Sequence, residues 1–314
     1  MVDLTNGLPD YVVLIPTYSR PTYLRILLGS LANQSHRPLS IVVCDSSPQV
    51  QWLDVVSICD RIEFDIRLIR SDRPSSAGQR NELIESFLLM FPFAQFALFL
   101  DDDTIPHEKY AEIIITGLLQ KGLTAGGGSG VTQETHVAQK SNLLARFFLL
   151  TGRAGSVLTS GVNTPPNAQS TMAMKSDWLF GCSMWRREVL RDFRFPSNWE
   201  GYALAEDVHF SYRVVELWDL WVFPAAHLTN SFATENRPNP YELARMELRH
   251  RWQICKFHRR SKFIVLFSYW WSTIGLLIFH TYSALRAPKD EHTLRLKGSV
   301  RAILDILTLK KRSD

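Results

Sequence analysis

Phe96-Ala97-Leu98-Phe99-Leu100-Asp101-Asp102-Asp103-Thr104 decides how this chain reads. An unbroken apolar run of this length is how a strand buried on both faces reads, and three successive carboxylates end it. Two other runs share the pattern. Tyr11–Pro16 (YVVLIP) is followed by Thr17-Tyr18-Ser19-Arg20, and Leu39–Cys44 (LSIVVC) by Asp45-Ser46-Ser47. Between the runs, apolar residues recur at helical spacing: Leu24, Leu27, Leu28 and Leu31 within Pro21–Ala32, then Leu83, Ile84, Phe87 and Leu88 within Ala77–Phe91. Alternating strand and helix predicts an α/β fold with a doubly wound, mainly parallel sheet and right-handed crossovers. Ligands of such sheets bind beyond the carboxyl ends of the strands, where the polar residues after each run stand.

Three adjacent negative charges repel one another unless a cation compensates them. Asp101 and Asp103, expected to point the same way along an extended segment, suit Mn²⁺ or Mg²⁺, which take oxygen ligands and share them with substrate phosphates. A solvated acidic turn is the plainer reading, and the position behind a buried strand favours the metal. The second constellation is Ala205-Glu206-Asp207-Val208-His209-Phe210, the opening of a helix predicted over Glu206–Leu217. Acids in a first turn also stabilise the helix dipole, which suffices for Glu206, and leaves Asp207 as the candidate general base. A helix over Arg186–Asp192 and a short strand over Leu220–Phe223 complete the body. Lys121–Lys175 contains Gly126-Gly127-Gly128-Ser129-Gly130 and Pro165-Pro166, is interrupted by the apolar Leu143–Leu150, and reads as loop-rich and mobile.

In order along the chain, these segments resemble the family 2 glycosyltransferases of the GT-A fold, from Val12 to about His227. Ile15-Pro16-Thr17-Tyr18-Ser19-Arg20-Pro21 resembles the opening strand and turn, with Ser19 where Asn is usual. Val42-Val43-Cys44-Asp45 resembles the second strand, whose closing Asp contacts the nucleotide base, although no second Asp stands beside Asp45. Ser76-Ala77-Gly78-Gln79-Arg80-Asn81 resembles a segment near the donor, and Asp101-Asp102-Asp103 the metal-binding DxD motif. Trp178-Leu179-Phe180-Gly181 followed by Glu206-Asp207 resembles the acceptor side and the catalytic base.

The resemblance implies a hexosyltransferase-type enzyme, transferring a sugar with inversion from a nucleotide-diphosphate donor to an acceptor hydroxyl. It places Pro16, Thr17, Tyr18, Arg20, Asp45, Arg80, Asp101 and Asp102 around the nucleotide sugar, and Trp178, Gly181 and Glu206 on the acceptor side. Asp207 is then the base, and Asp101 and Asp103 hold Mn²⁺ or Mg²⁺. Arg80 reads equally as an ion pair with an acid on its helix. His227 is either a third metal ligand or a structural histidine. Two alternatives belong to other classes. Asp101-Asp102-Asp103-Thr104-Ile105 also fits the nucleophile motif of haloacid-dehalogenase-like phosphatases, but that nucleophile follows a fold's first strand. A catalytically silent sugar- or nucleotide-binding scaffold would leave the carboxylates idle.

The 314 residues, 46% apolar, suit a catalytic domain over 1–244 and a tail over 245–314. About 1–120 forms the nucleotide-sugar half and 121–244 the acceptor half. Four widely spaced cysteines suggest neither zinc nor a disulfide framework, and fit a reducing cytoplasm. Met1–Thr5 lacks a basic n-region and the first apolar run is too short for a signal peptide, so export by that route is not expected. Residues 1–244 carry 20 Lys and Arg against 26 Asp and Glu, whereas 245–314 carry 15 against 5: the body is −6 and the tail +10. Within the tail, Phe263–Leu285 is free of charge, which favours an anionic membrane over nucleic acid as partner. Its length suits a spanning helix, but Ser268, Ser272, Thr273, His280, Thr281 and Ser283 dilute it, so spanning, interfacial and core helices all remain open. Arg259, Arg260 and Lys262 before it, with Arg286 and Lys289 after it, suit anionic headgroups. The expected setting is the cytoplasmic face of a membrane, with a glycan or lipid-linked acceptor for polysaccharide or glycoconjugate synthesis.

Overall fold

The computed structural model describes residues 7–132, 143–231, 237–286 and 290–310. Met1–Thr5, Lys289 and the 133–142 part of the Lys121–Lys175 segment lie outside them. The first half alternates as expected: β1 (Tyr11–Thr17), α1 (Pro21–Leu31), β2 (Ser40–Asp45), α2 (Gln49–Cys59), β3 (Ile66–Arg70), α3 (Ser76–Met90) and β4 (Phe96–Phe99). The strands lie parallel in the order β3-β2-β1-β4, with Val13 opposite Ile41 on one side and Leu98 on the other. Every residue of β1, β2 and β4 is buried, which explains their unbroken apolar sequence. Alternate side chains of β1 enter opposite cores. Tyr11, Val13 and Ile15 pack with Leu24, Leu27 and Val55 of α1 and α2, while Val12 and Leu14 pack with Leu83, Ile84 and Phe87 of α3. The sheet is therefore covered on both faces, as a doubly wound fold requires.

The second half contains β5 (Thr104–Pro106), α4 (Tyr110–Lys121), β6 (Ala125–Thr132), α5 (Leu143–Phe147), β7 (Met174–Lys175), β8 (Ser183–Arg186), α6 (Arg187–Asp192), α7 (Glu206–Val214) and β9 (Asp219–Asn230). It extends the sheet as β4-β8-β6-β9-β5, with β7 on β9. Here β8 runs antiparallel to both β4 and β6, and β5 and β7 antiparallel to β9, while β6 and β9 are parallel, so the whole sheet is mixed. The glycine run is not a loop: Gly126–Gly130 lies in β6, a buried strand between β8 and β9. A Cβ on Gly127 would stand 2.6 Å from the Trp185 ring, and one on Gly130 2.2 Å from the carbonyl oxygen of Ala226. The sequence spends glycine there to admit a large ring and a close backbone, not to make a turn. β9 runs for twelve residues instead of stopping at Phe223, because bulges against β6 absorb the irregularity around Pro224. α7 stops at Val214, short of Leu217.

Three helices follow: α8 (Pro240–Cys255), α9 (Lys262–Arg286) and α10 (Asp290–Lys310). Asn239 caps α8 by accepting from the Glu242 amide at 3.0 Å. The division expected at residue 244 falls inside α8, which packs on the body: the His250 ring stacks on Trp199 at 3.7 Å between centroids, with Nδ1 2.6 Å from the Leu204 carbonyl oxygen. α10 is tied to α8 by Arg245 and Asp305, 2.7 Å apart.

Candidate active site

At the carboxyl edge of β1 and β4 lies a cleft of about 710 Å³. Pro16, Thr17, Tyr18 and Arg20 line it from the end of β1, Arg80 from α3, Asp101, Asp102 and Asp103 from the end of β4, Gly181 from the approach to β8, and Glu206 and Asp207 from the start of α7. Eleven separately proposed residues thus meet at one place.

The triplet is a turn, not an extended segment. β4 ends at Phe99, and the Thr104 amide donates to the Asp101 carbonyl oxygen at 3.1 Å. The carboxylates consequently diverge. Asp101 faces α3, accepting from Arg80 Nη2 at 2.6 Å, whereas Asp102 accepts from Thr17 Oγ1 at 2.7 Å and from Arg20 Nη1 at 3.2 Å. Asp103 lies 3.8 Å from Arg20 Nη1. Two arginines therefore provide the compensating charge that three neighbouring carboxylates need. Burial pushes Asp102 up to about 7, against the lowering effect of its Thr17 and Arg20 partners.

Arg80 is the joint of the site. Its side chain is 2% exposed, lies over the rings of Phe99 and Phe195, and donates to the Gly181 carbonyl oxygen at 3.1 Å. Its Nε stands 3.4 Å from Glu206 Oε1. The ion pair considered on α3 itself is absent among the described contacts: Arg80 instead links the turn after β4 to the head of α7. Gly181 suits this crowding, since a Cβ would come 2.9 Å from Arg80 Nη2 and 3.1 Å from Asp101 Oδ2 and would press on both side-chain ends.

Glu206 and Asp207 differ in how they are held. Ser76 Oγ donates to Glu206 Oε1 at 2.8 Å, so with Arg80 this carboxylate is fixed from two sides. Asp207 Oδ1 accepts from the Val208 amide at 2.7 Å, a bond within its own helical turn. Burial is the largest cause raising both above the ordinary carboxylate range. The preceding residues approach α7 through left-handed backbone at Ala203 and Ala205, with φ of 46° and 66°. Alanine tolerates that region poorly, so the loop that aims α7 into the cleft is strained.

Three proposed residues lie outside the cleft lining. Asp45 is wholly buried; its Oδ1 accepts from the Ser47 amide at 2.9 Å and from the Ser47 hydroxyl, while Oδ2 lacks a hydrogen-bond partner and lies 3.8 Å from Arg70. Trp178 is a core residue: its Nε1 donates to the Thr164 carbonyl oxygen at 3.0 Å and its ring meets Phe180 edge-on. His227 sits within β9 opposite Val131. Among the described residues no group of three or more His, Cys, Asp or Glu side chains is arranged to hold a metal ion.

Sequence reasoning passed over several residues of the lining. Gln79 Nε2 donates to the carbonyl oxygens of Thr17 and Cys44, both at 2.8 Å, and so pins the ends of β1 and β2. It stood inside the quoted Ser76–Asn81 motif, which was the available signal. Tyr202, Asn230, Arg237 and Met246 also line the cleft, and no local pattern announces them. Ser19 has φ 54°, a region that asparagine tolerates well, which accounts for the usual residue there.

Comparison with known proteins agrees with this architecture. A β-1,3-glucosyltransferase of Campylobacter jejuni that acts on GalNAc(5)-diNAcBac-PP-undecaprenol is 24% identical over 159 residues. The match covers 45% of this chain and 49% of the relative, so the chain spans about half the length of that protein. Among solved structures, the mannosyltransferase PcManGT from Pyrobaculum calidifontis, in complex with GDP-Man and Mn²⁺, superposes with a TM-score of 0.59 at 14% identity, over 95% of this chain and 88% of that one. S. aureus TarS 1-349 in complex with UDP-GlcNAc gives 0.54 at 16% identity, over 92% and 79%. The fold is that of the GT-A glycosyltransferases. The model of the family described as glycosyltransferase like family 2 matches residues 9–254, well over half of the chain, and the chain belongs to that family.

Proposed function

We propose that this protein transfers a sugar from a nucleotide-diphosphate donor to an acceptor hydroxyl with inversion at the anomeric carbon. One observation carries the reading: a single cleft sets the carboxylates after β4 and two arginines against Asp207 at the head of α7. Asp101 and Asp103 are the pair to hold Mn²⁺ or Mg²⁺. Both line the cleft, Asp101 with its side chain 41% exposed and Asp103 buried beside Arg20, and an ion whose other positions go to phosphate oxygens does not require a cluster of three protein ligands. When bound, the ion supplies neutralisation of charge on the departing diphosphate.

The chain's own residues supply the rest. Arg20 and Arg80 add positive charge on the donor side, and Arg80 also fixes Asp101 relative to α7. Glu206, held by Ser76 and Arg80, is a positioning residue. Asp207 is the base: as the acceptor oxygen bonds to the anomeric carbon and the carbon–oxygen bond to diphosphate breaks, the hydroxyl proton passes to its carboxylate. Burial brings that carboxylate nearer neutrality, which suits a base working near pH 7. The Campylobacter jejuni relative, named for an undecaprenol-linked acceptor, supports a lipid-linked acceptor, and the +10 tail supports retention at the cytoplasmic face of a membrane. A thermal-shift panel of UDP-, GDP- and dTDP-sugars with Mn²⁺ tests the proposal. A donor at 100 times its dissociation constant stabilises the fold by about 2.7 kcal/mol. No stabilisation by any nucleotide sugar, with metal present, overturns it.

A further inference from the structure

α9 is amphipathic in the reverse sense of a helix on a soluble protein. Its buried face carries Ser268, Ser272, Thr273 and His280 beside Val265 and Tyr269. Its large apolar residues face outward, with Phe263 78%, Phe267 58%, Ile278 52% and Phe279 58% exposed. Four of the six polar residues that dilute this stretch in sequence are thus on the inside, with Thr281 exposed and Ser283 half-buried, and the outward surface is more apolar than the helix average. Water disfavours that arrangement, and a contiguous apolar surface of this kind marks an interaction site.

The inward face is bonded to the catalytic body. Thr159 Oγ1 donates to Ser268 Oγ at 3.0 Å, Arg251 Nη2 donates to Ser272 Oγ at 2.5 Å, and Tyr269 Oη donates to the Leu248 carbonyl oxygen at 3.0 Å. Arg251 lies on α8 and is buried. By length and composition α9 is able to cross a bilayer. Crossing in this packing would carry the guanidinium of Arg251, and the helix bearing it, into hydrocarbon. α5 widens the outward surface: the Trp271 Nε1 donates to the Phe147 carbonyl oxygen at 2.7 Å, and Leu143, Leu144 and Phe147 are 82%, 62% and 61% exposed. Along the segment itself the charge has one sign. Lys256, Arg259, Arg260 and Lys262 at one end of α9 and Arg286 at the other are exposed, and residues 256–286 contain no acid.

We infer that α9 and α5 lie in the plane of an anionic lipid surface, buried on their outward side only, with the inward face of α9 remaining docked on α8. The inference rests on the membrane reading above and specifies its mode. Apolar residues enter the acyl boundary while the flanking cations meet anionic headgroups. Met246 of α8 lines the cleft, and Leu248 of the same helix meets α9, so the arrangement sets the active site within a few helical turns of the lipid surface.

Flotation of the full-length protein with sealed vesicles, either neutral phosphatidylcholine or phosphatidylcholine with phosphatidylglycerol, tests this. Single cysteines from Arg260→Cys and Arg286→Cys are then probed from outside with a membrane-impermeant maleimide; the four native cysteines are buried. The expected results are flotation with the anionic vesicles, both cysteines reactive, and at least tenfold weaker binding by the exposed-face variant Phe267→Glu/Ile278→Glu with an unchanged melting temperature. No flotation with either vesicle overturns the membrane reading itself. Flotation with Arg286→Cys or Arg260→Cys protected keeps that reading and overturns the in-plane mode in favour of spanning. Full binding by Phe267→Glu/Ile278→Glu assigns the wrong face. A vesicle-independent dimer abolished by Phe267→Glu/Ile278→Glu, without flotation, assigns the surface to a second copy instead.

Discussion

Replacing Arg80 by Met keeps an apolar stem over Phe99 and Phe195 but removes the cation shared by Asp101 and Glu206. Breaking a wholly buried ion pair costs about 3–5 kcal/mol, but the two carboxylates are not equally buried. The Asp101 side chain is 41% exposed and rehydrates, so its share falls to about 1 kcal/mol. The lost hydrogen bond to Gly181 adds about 1 kcal/mol. Glu206, 11% exposed at the side chain, already has its carboxyl raised to about 7, chiefly by burial. Without the guanidinium it rises further and takes up a proton. A folded-state value above the unfolded one makes the ionised group a burden that is present at high pH and relieved as pH falls through the folded value. At pH 8 the variant therefore bears roughly 1 kcal/mol more than wild type at Glu206, and at pH 6, where both forms are protonated, about nothing. Arg80→Met should cost about 3 kcal/mol at pH 8 and about 2 kcal/mol at pH 6, by urea denaturation. A loss below about 1 kcal/mol at pH 8, or one that grows on acidification, refutes Arg80 as the joint between the turn and α7.

Asp103→Asn should lower metal-dependent nucleotide-sugar affinity by tenfold or more in calorimetry, about 1.4 kcal/mol, and equal affinity with and without EDTA in wild type removes its metal role. Gly130→Ala should destabilise by about 3 kcal/mol because its methyl meets the Ala226 backbone, whereas Gly29→Ala, exposed in α1 with open space around it, should stabilise by about 0.5–1 kcal/mol. Melting curves of both variants separate a packed strand from a loop. His209 is depressed to about 4, mainly by burial, so between its unfolded value of about 6.5 and that point the unfolded chain binds the extra proton and stability is lost as pH falls. Because Asp102 and Glu206 titrate with the opposite effect nearby, the readout is the difference between His209→Gln and wild type, which should move by about 1–2 kcal/mol in the variant's favour from pH 7.5 to pH 5.

The half from β1 to β4 was legible because buried parallel strands leave continuous apolar runs and their carboxyl ends leave polar residues behind. β6 was not, since glycines chosen for contact with Trp185 and the Ala226 backbone have the same letters as glycines in a loop. β3 lacks the signal for another reason: it is an edge strand with Arg67 and Arg70 exposed. Around the site, Asp101–Asp103, Arg20, Glu206 and Asp207 stood out as charges at element ends. Their pairing did not, because Arg80 bridges residues 21 and 126 positions away along the chain. Trp178 illustrates the converse error: a tryptophan beside an acceptor-side glycine invites a stacking role, and its ring instead completes a small core with Phe180. The reversal of polarity on α9 is hidden in the sequence average and appears only when the neighbours of each residue are known.

Product analysis of the Asp207→Asn variant tests sugar transfer through Asp207 most directly. With a donor identified by the thermal-shift panel and its acceptor, proton NMR follows the anomeric configuration while nucleoside diphosphate release is timed. The expected result is an inverted linkage formed by wild type, and turnover lowered by roughly 10²-fold or more in Asp207→Asn with donor affinity nearly unchanged. Retained configuration, release of inorganic phosphate in place of the nucleoside diphosphate, or Asp207→Asn turnover within a few fold of wild type contradicts it.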